Sequence, residues 1–205
     1  MSKIISWLSV WWLYYFTLNF VFIPNGFSNR HGQFVNTLLT LTFCFLAIHF
    51  FKLKITKRNL LIAFTVYIGG LFILNKLFLP LHTYINGNDL KFVLRNDSPI
   101  FPLATQIIFQ QIMIFILVKK VFSKTNHSIL FSSLFFMFSH FPIFLIARLA
   151  MWEKLWIAGM SFIAGLIFSF IIHKFKKGYI ASFLIHFTYY FFLALLTEST
   201  NQFIP

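Results

Sequence analysis

Long apolar runs, broken by short basic connections, limit what this chain can fold into more than any other feature. Hydrophobic residues make up 59% of the 205 residues and charged residues 10%. The runs approach the roughly 20 residues that a helix needs to cross a bilayer. Seven spans follow, at about 4–23, 34–51, 60–78, 100–118, 129–149, 156–172 and 179–196. The short loops place them in one all-α membrane bundle, a single transmembrane domain over 1–205. The longest polar stretch, around 82–99, is too short for a soluble domain, and its turn-like Asn86-Gly87-Asn88-Asp89 makes it the best place for a surface feature. The first run follows Lys3 as a secretory signal would. It is too long for a signal core, carries Trp7, Trp11 and Trp12, and lacks a small-residue cleavage site, so it reads as span one.

The net charge of +13 is distributed in a way that argues for orientation and against nucleic acid. With the N-terminus inside, eleven basic residues fall in cytoplasmic segments: Lys3, Lys52, Lys54, Lys57, Arg58, Lys119, Lys120, Lys124, Lys174, Lys176 and Lys177. Six fall outside (Arg30, Lys76, Lys91, Arg95, Arg148 and Lys154), together with all four acids, Asp89, Asp97, Glu153 and Glu198. The asymmetry follows the positive-inside rule and predicts N-in, C-out in a lipid bilayer. The cationic loops suit anionic lipid headgroups.

Other features speak of packing. The 32 phenylalanines are spread over all spans, as lipid-facing and inter-helix filler would be. Trp7, Trp11, Trp12, Tyr14 and Tyr15 are expected partly at interface depth, like an aromatic belt. Ser161, Gly165 and Ser169 form a small-residue row on which a neighbouring helix can pack closely. The single cysteine, Cys44, forms neither an intramolecular disulfide nor a metal site.

Against this background a few polar side chains stand out inside apolar spans: Gln110 and Gln111, then His140, then His186. Such groups are costly in hydrocarbon, face the bundle interior and mark functional sites. At 1.5 Å per residue, Gln111, His140 and His186 lie about 10, 16 and 10 Å from the cytoplasmic side of their spans, close to one depth. Each group has a neighbour one turn away on its own helix: Gln106 for Gln110, Phe136 for His140, and Tyr190 for His186. No acidic residue sits in the middle of an apolar stretch. The set is a site without a carboxylate, or a group of inter-helix hydrogen bonds contributing about 0.6–2 kcal/mol each.

The order and spacing of these residues carry a resemblance. Ser132-Ser133-Leu134-Phe135-Phe136-Met137-Phe138-Ser139-His140 ends in Phe-x-x-x-His; His186-Phe187-Thr188-Tyr189-Tyr190 opens with a second histidine 46 residues on. Between them Phe162-Ile163-Ala164-Gly165-Leu166 precedes a short basic turn, His173 to Gly178. The stretch at about 100–204 thereby resembles the core of the CPBP family, the CAAX-protease and bacteriocin-processing membrane proteins. The resemblance implies a membrane helical bundle and an intramembrane peptidase site. There the first motif, Glu-Glu-x-x-x-Arg, falls on Gln110-Gln111-Ile112-Met113-Ile114-Phe115, and the Asn or Asp of the third motif falls on Tyr190. In the family the paired glutamates activate water, and the histidines orient it, stabilise the oxyanion or bind a metal. Glutamine keeps the shape of glutamate but cannot serve as the proton acceptor.

The expectation is therefore a catalytically impaired CPBP-type homologue with motif positions Gln110, Gln111, His140 and His186. It would act on or bind membrane-associated peptides through neighbours such as Gln106, Phe136 and Tyr190. No cofactor is expected, since two histidines support zinc poorly where catalytic zinc takes three protein ligands. Two alternatives stand beside it. One is a non-catalytic, bacteriocin-immunity-type protein with a peptide or membrane-protein partner; the other is a small transporter or scaffold with polar residues as helix glue. Richness in Lys, Phe, Ile and Asn points to a low-GC bacterium, hence a bacterial plasma membrane.

Overall fold

The computed structural model describes residues 2–22, 30–53, 69, 100–124, 127–146 and 150–196. All regular structure among them is helical. Helix α1 (Ser2–Phe16) continues as a π-helical turn to Phe22, and α2 spans Arg30–Phe50. Helix α3 (Ile100–Ile116) likewise ends in a π turn, Leu117–Val121. The remainder are α4 (Ser128–Ser139), the short α5 (Phe141–Ile146), α6 (Met151–Lys174) and α7 (Gly178–Leu196). The span expected at 60–78, apart from Gly69, and the loop at 82–99 lie outside the described residues.

By length and composition, Ala104–Val121 and Met151–Lys174 are long and apolar enough to cross a membrane, while Val35–Phe50 and Ser128–Ser139 are apolar but shorter. Two described helices thus meet the criterion where hydropathy predicts seven spans for the whole chain. The fifth expected span, 129–149, is not one helix. It breaks at His140, whose backbone N–H turns back to Met137 and Phe138. Pro142 explains the break, because it has no N–H for the carbonyl of Phe138 and its ring crowds that carbonyl. Helix α6 starts at Met151, five residues before the expected span, where Glu153 accepts a hydrogen bond from the Ala150 N–H at 2.7 Å and closes the first turn.

Helix α1 runs antiparallel to α3. Lys3 reaches the carbonyl of Lys120, the Trp7 indole N–H donates to the carbonyl of Met113 at 2.8 Å, and Trp11 packs on Phe109. Trp7, Trp11, Tyr14 and Tyr15 are buried, and they form the aromatic centre of the core with Phe43, Phe109 and Phe136. Their rings are large enough to fill the gaps between α1, α2, α3 and α4. Tyr14 shares a hydrogen bond with Thr40 of α2, 3.1 Å apart. Helix α6 lies close against α4 at the small-residue row. A Cβ on Gly165 would sit 3.0 Å from the Ser133 Cα, so the approach depends on glycine.

The outer faces are apolar. Along α6, Met151, Trp152, Leu155 and Trp156 are 65–73% exposed, and Ile163, Ile167 and Phe170 continue the stripe. Many polar side chains, including Ser132, Ser133, Ser139, Ser161, Ser169 and Ser182, are buried instead.

Candidate functional site

The polar residues singled out in the sequence gather where α1, α3, α4, α6 and α7 meet. Helix α7 runs antiparallel to α3, so Ser182 and His186, one turn apart, both face Gln111. The Gln111 side-chain NH2 donates to His186 Nδ1 at 3.0 Å, and its carbonyl oxygen accepts from the Ser182 hydroxyl. Both ends of the amide are therefore used, and all three side chains are buried. Because an amide N–H can only donate, Nδ1 of His186 must accept, which puts the ring proton on Nε2. The ring lies against Phe168 and Tyr190, with centroids 4.8 and 5.1 Å away.

His140 is held differently. Its Nδ1 donates to the carbonyl of Phe136, one turn back, at 2.9 Å, and Ser139 donates to the same oxygen. The break after Ser139 leaves the imidazole at a helix end, between the Phe136 ring at 4.8 Å and the Trp11 indole at 6.1 Å. With its proton on Nδ1, His140 keeps a lone pair on Nε2. The two histidines are thus opposite tautomers. One leaves Nε2–H as a donor and the other leaves Nε2 as an acceptor.

Comparison with family models, with curated proteins and with solved structures returns no match to this chain.

The site residues therefore stand on geometry. Gln111 and His186 are brought into direct contact. Gln110 points toward α1, where it interacts with Tyr15, and its carbonyl oxygen is buried without a hydrogen-bond partner. Gln106, expected beside Gln110, instead joins Tyr14. Phe136 and Tyr190 wall the two histidines. Sequence reasoning passed over Ser182 and Trp11. Ser182 carries a signal that could have found it, a hydroxyl one turn before His186 on the same face. Trp11 is hidden among aromatic residues, although its indole N–H, like the Gln110 carbonyl, is buried and unpartnered.

Among the described residues no three His, Cys, Asp or Glu side chains come together. The centre offers neutral donors and acceptors: an imidazole N–H, an imidazole nitrogen, an indole N–H and an amide oxygen. Among the described residues the centre contains no carboxylate to take a proton from water.

Proposed function

We propose that this chain is a polytopic membrane bundle of the CPBP kind, oriented N-in and C-out, whose centre binds a membrane-associated peptide or protein segment without cleaving it efficiently. The observation that carries this reading is the Ser182–Gln111–His186 chain. It holds Gln111 at the position where the family resemblance expects a glutamate, and it commits the amide to two bonds, of which the one to His186 uses an N–H that an ionised carboxylate lacks. Exposed apolar stripes along α6 and buried serines support the membrane setting, since a soluble surface does not carry apolar patches of that length. The unpartnered Trp11 N–H and Gln110 carbonyl support binding, because buried polar atoms without partners are rare and mark places where something else completes them.

Residual hydrolysis is the second reading, and one feature favours it. His140 gives its Nδ1 proton to Phe136 and keeps Nε2 as a base. Without a carboxylate beside it, that base lacks a partner to stabilise its charged form, and general-base assistance of about 10²–10⁴-fold is lost.

Photo-crosslinking in vesicles tests the proposal. A photoreactive side chain at Tyr190 should capture a single-span peptide with a helix-breaking Gly-Pro at mid-membrane, and the captured peptide should be intact. A photoreactive side chain at Ile163, on the exposed face of α6, should capture far less. Equal capture at both positions, or a cut peptide, overturns it.

A further inference from the structure

A second polar feature sits at the far end of α6 from Glu153, the one acid among the described residues. About 31 Å of helix separates Glu153 from Lys174, at 1.5 Å per residue. Between the last turns of α3 and α6 and the first turn of α7 lies a cavity of about 340 Å³. Lys119, Lys174 and Lys176 line it, over a wall made by Phe115 and Tyr179, whose rings meet edge to face at 6.1 Å.

Three local arrangements concentrate positive charge there. Lys119 donates to the His173 carbonyl at 3.4 Å, which draws its ammonium across the gap from α3 to the end of α6. The turn after α6 is tight enough to bring Lys174 and Lys176 to the same rim, since Gly178 N–H closes onto the Phe175 carbonyl at 3.1 Å. Gly178 makes that possible: a Cβ there would strike the Ile171 carbonyl and come within 2.8 Å of the Ile172 Cα. Helix α7 therefore begins in the cavity wall and adds its positive N-terminal end to the three ammonium groups. Among the described residues no carboxylate lines the cavity. Its volume falls within the roughly 300–1,000 Å³ of ligand pockets, and its floor is aromatic while its rim is cationic.

We propose that this cavity binds a phosphate-bearing anion, the chemistry shared by an acidic phospholipid headgroup and a free phosphate ester. Like-charged lysines held together without a counter-charge repel one another, and a phosphate placed among them removes that repulsion while accepting several charge-assisted hydrogen bonds. The site stands apart from the buried centre and does not depend on the function proposed for it.

Binding to the purified full chain in neutral detergent decides the matter, with phosphatidylglycerol, phosphatidylcholine, glycerol phosphate and inorganic phosphate as probes. A Lys119→Ala, Lys174→Ala, Lys176→Ala variant is compared with Lys52→Ala, Lys120→Ala, Lys124→Ala, which removes the same charge elsewhere. Affinity for the phosphate probe should fall about tenfold or more in the first variant and much less in the second. Tight binding of phosphatidylglycerol alone assigns the site to a lipid headgroup; comparable binding of the soluble phosphates assigns it to a free anion. Equal losses in both variants, equal binding of phosphatidylcholine and phosphatidylglycerol, or no binding of any probe overturns the proposal.

Discussion

At Gln111, α3 carries an amide with both ends bonded, to Ser182 and His186; about two turns further on, at Lys119, the same helix carries an ammonium group whose bond runs to a backbone carbonyl. Helices α6 and α7 border both places, contributing Phe168 and His186 to the first and Lys174 and Tyr179 to the second. In the buried centre the described side chains carry no acid or ammonium group, and Gln111 is matched at both ends by neutral partners. At the helix ends charge is kept and left open. The contrast teaches where this bundle can tolerate an unpaired ion: burial of an uncompensated charge costs several kcal/mol, while a lysine at the rim keeps its ammonium in water. A glutamine where the family resemblance expects glutamate brings the centre into line with that rule.

Close packing at the centre should give the largest effect. Gly165→Leu forces α6 away from Ser133 and should destabilise the protein by about 3 kcal/mol. Gly159→Leu on the same helix, with nothing within 4 Å of its Cβ position, should cost less than about 0.5 kcal/mol. Thermal unfolding in detergent measures both, and equal costs would break the distinction between a packed centre and an open surface.

The two glutamines sharpen it. Gln111→Leu leaves His186 Nδ1 and the Ser182 hydroxyl unpartnered and should cost about 1–3 kcal/mol. Gln110→Leu removes a carbonyl oxygen that already lacks a partner together with one interaction with Tyr15, and should cost less than Gln111→Leu, about 0.5–1 kcal/mol. If Gln110→Leu nevertheless abolishes peptide capture, the residue is kept for binding at little gain in stability. A loss of stability as large as that of Gln111→Leu would place Gln110 in the structural network instead.

Much of this centre is legible in the sequence, because a polar residue in an apolar run has few places to go. The shared depth of Gln111 and His186 anticipates their contact. His140 is legible as a member of the set but not in its setting. The reading treats 129–149 as one helix although Pro142 is present, and the break that turns His140 toward Trp11 follows from that proline. The role of Trp11 is not legible at all. In a chain with 21% aromatic residues an interfacial ring and a core ring look alike. The lysine cavity is half legible: the charges are plain, but their closeness depends on the turn that Gly178 permits.

At the basic end the smallest effect is expected. Lys174→Ala and Lys176→Ala should each shift stability by less than about 0.5 kcal/mol, since both side chains are exposed. Stability losses comparable with those at Gln111 would mean that these lysines hold the fold together and are not an open rim.

The most direct test of the claim that the centre binds without cleaving compares the native chain with a Gln110→Glu, Gln111→Glu, Phe115→Arg variant, both reconstituted and assayed for hydrolysis of membrane-embedded peptides. Negligible turnover is expected of the native chain and measurable turnover of the restored one, abolished when His140→Ala is added. Efficient cleavage by the native chain, lost in its own His140→Ala variant, would contradict it.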